Sequence, residues 1–85
     1  MTKEDYFEQA VNAFGDDKLD VAIENYEKAL DLDPRYQDAL HGLGMALFNG
    51  GRVDDAITTA KRLIQIDPDD VLAHTSLSMF YQSKG

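Results

Sequence analysis

Asp20-Val-Ala-Ile-Glu-Asn-Tyr-Glu-Lys-Ala-Leu-Asp-Leu-Asp-Pro34 is answered, 34 residues later, by Asp54-Asp-Ala-Ile-Thr-Thr-Ala-Lys-Arg-Leu-Ile-Gln-Ile-Asp-Pro68. Asp20, Ala22, Ile23, Asp33 and Pro34 recur as Asp54, Ala56, Ile57, Asp67 and Pro68, and Lys28, Leu30 and Leu32 become Arg62, Ile64 and Ile66. The same lag carries Phe14 to Phe48, Ala39 to Ala73 and Leu43 to Leu77. A fixed period of this length is the signature of stacked supersecondary units, each too small to bury its own apolar face alone.

Within each period two helical patterns alternate. Phe7, Ala10, Val11 and Phe14 fall at i, i+3, i+4 and i+7, one face of a helix. Gly15 and Asp16 break it, and Asp17 is the expected N-cap of a second helix with Leu19, Ala22, Ile23, Tyr26, Ala29 and Leu30 on its apolar face. Asp33-Pro34 reads as N-cap and first-turn proline of a third helix, whose inner stripe is Leu40, Leu43, Gly44 and Leu47. Asn49-Gly50-Gly51 ends it, and Val53, Ala56, Ile57, Ala60, Leu63 and Ile64 make a fourth. After Asp67-Pro68 a fifth carries Leu72, Ala73, Leu77, Phe80 and Tyr81. The pattern predicts an all-α fold of five antiparallel helices near 3–14, 18–31, 35–48, 53–66 and 70–83, with no strand. Ala10, Gly44 and Ser78, answered by Ala22 and Ala56, are the expected points of close helix approach, where a bulkier group would cost roughly 1–3 kcal/mol.

These residues resemble the tetratricopeptide repeat family, whose unit is a helix-turn-helix of this period. Leu40-x-x-Leu43-Gly44-x-x-Leu47, then Ala56, then Pro68 carry the likeness most fully, and Tyr6, Ala10, Tyr26 and Ala29 carry it in the preceding unit. Ala60 and Leu63 depart from the large-then-small pair usual there. The resemblance implies one domain over 1–85, with units near 3–36 and 37–70 and a partial third near 71–85. It further implies a right-handed α-solenoid whose concave face is lined by the first helix of each unit.

The groove so implied presents Phe7, Val11 and Phe14, then His41, Met45 and Phe48, then Leu72, Thr75 and Met79, with Glu4, Glu8, Asp38, Gly42, Ser76 and Gln82 beside them. Methionine and aromatic side chains suit an adaptable apolar site, so the expected partner is another protein, held by a peptide or an apolar segment. One branch of the family clamps the acidic C-terminal tails of chaperones with lysine, asparagine and arginine. The matching positions here are Phe7, Val11, Gly42, Leu72 and Ser76, none of them basic or an amide, so that activity is not expected.

Other function classes are poorly supplied. Sixteen acidic against eight basic residues give a net charge of −8, which repels nucleic acid and anionic membranes. The chain has no cysteine, so it has no disulfide and no thiolate chemistry. His41 and His74 stand on different helices without a nucleophile motif, and the acidic pairs Asp16-Asp17, Asp54-Asp55 and Asp67/Asp69/Asp70 lack the spacing of a calcium loop. No enzyme activity, cofactor or metal is expected. The start of the chain lacks the basic-then-apolar pattern of a secretory signal, so a cytoplasmic location is expected. The fifth helix is apolar on more than one side. A second reading therefore has two copies of the chain pairing through Phe80 and Tyr81, or the native chain continuing past this helix.

Overall fold

The computed structural model describes residues 1–85 and consists of five α-helices without strands: α1 Lys3–Gly15, α2 Leu19–Leu32, α3 Gln37–Asn49, α4 Val53–Ile66 and α5 Val71–Lys84. Its overall dimensions are 37 × 26 × 16 Å.

The turns inside each pair repeat at the 34-residue lag. Asp17 and Gly51 both take positive φ, 61° and 82°. Around them Lys18 donates its amide to the Ala13 carbonyl and Arg52 donates to Leu47, each at 2.8 Å. This six-to-one bond closes a helix over a left-handed residue and satisfies a carbonyl the helix would leave orphaned. Asp17 was expected to cap α2. It instead occupies the left-handed turn, a conformation that aspartate tolerates better than most side chains. The residue at the N-cap is Lys18, which makes no side-chain cap bond.

The turns between pairs also differ from expectation. Asp33 and Asp67 are extended and end α2 and α4. Their Oδ1 atoms accept from the amides of Arg35 and Asp69, both at 3.1 Å. These aspartates build a local turn that competes with helix. Pro34 and Pro68 lie in that turn, and α3 starts at Gln37 and α5 at Val71. Asp70 is the true cap of α5, accepting from the Ala73 amide at 3.1 Å. At the start of α1, Thr2 and Asp5 satisfy each other's amides in a capping box.

The core follows the small residues. Ala10, Ala22, Ala29, Ala39, Ala56 and Ala73 are fully buried, and Leu40, Leu63 and Phe80 are the largest side chains wholly out of solvent. Two buried polar residues, Asn25 and Thr59, stand at equivalent places and each donates to a carbonyl of its own helix, Val21 and Asp55. No buried side-chain polar atom lacks a partner. Gly44 is less tightly enclosed than its sequence position suggested, since a Cβ there would stand 3.7 Å from Phe80 and 3.8 Å from Thr59, ordinary contact. The close approach lies at Gly42, where the Tyr26 ring crosses the helix and occupies the space a Cβ would need. Ser78, the third expected close point, is exposed.

Successive helices pack along their lengths, α1 on α2, α2 on α3, α3 on α4 and α4 on α5. Beyond these neighbours, α1 meets α3 and α3 meets α5, whereas α2 and α4 do not meet. The first helices of the pairs therefore stand together on the inner side of the stack, and the second helices splay on the outer side.

Candidate partner-binding groove

The inner surface is built by α1, α3 and α5. Their small residues face the second helices and leave the opposite stripe of each free. Of the nine expected groove residues, Val11 (44% exposed), Leu72 (67%), Met79 (37%) and Thr75 are open to solvent. Phe7, Phe14, Met45 and Phe48 are half-buried, packed against the core with only part of each side chain free. Phe7 lies tilted between two tyrosines, with ring centroids 6.0 Å from Tyr26 and 5.5 Å from Tyr36. Phe48 stacks on Phe80 at 4.9 Å and so joins α3 to α5. These two aromatics are as much joints between helices as lining of a groove.

His41 is held by Asp70, with Nε2 at 2.8 Å from Oδ2. Burial pushes the Asp70 carboxyl upward, but the Ala73 amide, the His41 imidazole and the Leu72 amide together outweigh it and hold the group below its ordinary 3.8. The pair repeats the Phe7–Tyr36 contact at the 34-residue lag, for Phe7 corresponds to His41 and Tyr36 to Asp70. One joint of the solenoid is closed by aromatic packing and the next by a charged hydrogen bond. Sequence reasoning placed Phe7 and His41 on this surface but missed Tyr36 and Asp70. The lag itself was the only available signal, because the partners are 29 residues apart and differ in chemistry.

The rim at the α1 end is acidic. Burial raises the Tyr36 phenol, and the Glu4 and Asp38 carboxylates raise it further. Lys3 bridges to Asp33 at 2.6 Å and sits over the Tyr36 ring, 4.8 Å from its centroid. Glu4, Glu8 and Asp38 take part in no ion pair.

Phe80, expected at a self-association surface, is not available for one: it is 1% exposed and sits over Gly44 and against Phe48. The apolar groups that α5 does expose are Val71 (74%), Leu72 (67%), Met79 (37%) and Tyr81 (46%), the last with Lys61 above its ring. No group of three histidine or acidic side chains is placed to hold a metal ion. No helix is long and apolar enough to cross a membrane.

Comparison with known proteins agrees with this architecture. A solved structure, the crystal structure of MamA, superposes with a TM-score of 0.95 over 99% of the chain at 30% sequence identity, the chain spanning 49% of that protein's resolved chain. The small glutamine-rich tetratricopeptide repeat-containing protein 2 of Mycosarcoma maydis is 30% identical over 74 residues, 86% of this chain and 21% of that protein. The chain thus spans about a fifth of this curated relative and half of the solved one. The family profile described as tetratricopeptide repeat matches residues 13–79, and on that match, the helix pairs and the 34-residue period the chain belongs to the tetratricopeptide repeat family.

Proposed function

We propose that the chain is a protein-interaction module that holds a peptide or an apolar segment of a partner against the inner surface of α1, α3 and α5. The observation that carries this reading is the exposure of Val11, Leu72 and Met79 on that surface, beside a core that is complete without them. An apolar strip left open while alanines, leucines and Phe80 fill the interior points to intermolecular contact. The units run near 3–36, 37–70 and 71–85. The reading involves no catalytic step, no cofactor and no nucleic acid, and the cysteine-free chain suits the cytoplasm.

The test replaces Val11 and Met79 with serine together. Both side chains are substantially exposed, so the helical circular dichroism signal and melting temperature are expected to change little. Binding of peptides selected against the unaltered chain from a random display library is expected to fall by an order of magnitude or more. Unchanged binding of those peptides would place the contact elsewhere.

A second reading, pairing of two copies through α5, is favoured by the exposure of Val71, Leu72 and Tyr81 on one terminal helix. Sedimentation over a wide concentration range separates the two. Pairing predicts a mass that rises with concentration and falls back when Leu72 and Tyr81 become serine.

A further inference from the structure

We infer that the segment this groove takes is a basic one, with apolar side chains over α3 and α5 and lysine or arginine over α1; the inference rests on the groove reading above and adds the chemistry of the occupant. The groove is polarised along the stack. At the α5 end it offers Leu72, Thr75 and Met79, which are exposed and uncharged. At its centre Met45 and Phe48 are half-buried, and the His41 imidazole is already engaged by Asp70. Toward the α1 end it offers the exposed Val11 together with Glu4 and Glu8 of α1 and Asp38 at the start of α3, and none of these acids is in an ion pair.

Lys3 of α1 lies at this rim, 4.8 Å from the Tyr36 ring centroid, and feels the Glu4 carboxylate. Its ammonium is bound to Asp33 at 2.6 Å. Lys28 of α2 is paired with Glu24, Arg52 just before α4 with Asp55, and Lys84 reaches Asp54. Lys61 and Arg62 belong to α4, and Lys18 and Arg35 to turns. Lys3 is already shared with Asp33, so Glu4, Glu8 and Asp38 leave net negative charge at this end of the groove. Opposite charge on the occupant relieves it, and like charge is repelled. An acidic or neutral apolar segment meets the same methionine and valine contacts without that gain.

The net charge of the whole chain would favour any basic peptide weakly, so the test must separate local from overall attraction. The intact chain is screened against a random 12-residue display library. Its inner-surface variant Glu4→Gln/Glu8→Gln/Asp38→Asn and the outer-surface variant Asp20→Asn/Glu27→Gln/Asp31→Asn, which loses the same charge from α2, are screened alongside. Peptides retained by the intact chain are expected to be enriched in lysine and arginine at one end and in apolar residues elsewhere. Representative basic peptides are expected to bind the inner-surface variant about tenfold more weakly at low salt. The outer-surface variant is expected to match the intact chain within about twofold, and the difference should vanish in 0.5–1 M salt, where the screening length is only about 3–4 Å. Retained peptides without basic enrichment, or equal loss in both charge variants, overturn the inference while leaving the groove reading in place. Peptides that ignore Val11→Ser/Met79→Ser, or the retention of no peptide at all, overturn both.

Discussion

Gly42→Ala gives the sharpest test of how these helices fit together. Gly42 lies mid-helix in α3, and its α-carbon faces the ring of Tyr26 from α2. A methyl group built there falls inside the van der Waals surface of the ring carbons and the phenol oxygen. Tyr26 has little freedom to yield, because it is 3% exposed and has the Phe7 ring on one side at 6.0 Å. Relief requires moving α2 from α3 or driving Tyr26 off its rotamer. Overpacking of this kind costs about 1–3 kcal/mol, against a gain of about 1 kcal/mol from replacing glycine inside a helix. The expected net loss is about 0–2 kcal/mol, a fall of up to about 16 °C in melting temperature for a domain of this size. Thermal and urea unfolding followed by circular dichroism at 222 nm measures it. Gly44→Ala is the control, two residues along the same helix. Its methyl meets Phe80 and Thr59 at 3.7–3.8 Å, so the helix-propensity gain of roughly 0.5–1 kcal/mol should survive. In a Tyr26→Leu background the penalty at Gly42 should disappear, since the obstructing ring is gone. The reasoning is refuted if Gly42→Ala is as stable as Gly44→Ala, or if its penalty persists without the tyrosine ring.

Phe80→Ala should cost about 3–5 kcal/mol by urea titration, because the ring is buried and stacked on Phe48, while Tyr81→Ser next to it should cost under about 1 kcal/mol. Gly51→Ala should lose about 1 kcal/mol through its left-handed φ of 82°, and Asp17→Gly at the equivalent turn should lose nothing and gain up to about 1 kcal/mol. Asp5, Asp33 and Asp70 are all held below their ordinary 3.8, by Thr2, by Lys3 with the Arg35 amide, and by the Ala73 amide and His41 against the opposing effect of burial. Each therefore binds its proton less readily folded than unfolded. The stability they contribute is complete above the unfolded value near 4 and drains as pH falls through the lower folded values. The urea midpoint should thus decline below about pH 4, and Asp70→Asn, which keeps the cap but cannot ionise, should flatten that decline. An acid limb identical in the variant would remove Asp70 from the account.

The sequence alone determined that this chain is a stack of helix pairs. The 34-residue lag, the three- and four-residue apolar spacing and the alanines at matching points are local and periodic signals, and no competing arrangement buries them all. Which helices line the inner surface came from the resemblance to the family, with the 34-residue lag supplying the matching position in each unit. Tertiary structure decided what those side chains do once there. Turn chemistry at Asp33 and Asp67 delays α3 and α5, since an aspartate carboxylate that satisfies the turn's own amides leaves none to cap the helix. Phe80 reads as surface by its place on the fifth helix, yet α3 brings Phe48 and Gly44 against it, and Ala60 and Leu63 of α4 lie beside it. Tyr26 makes Gly42 the tight point instead of Gly44, a matter of which way one ring leans between α1 and α3. His41 finds Asp70 only because α3 and the start of α5 meet in space. Periodicity fixes orientation relative to a helix axis, whereas the partner a side chain meets depends on distances between helices, and those are set by every residue packed between them at once.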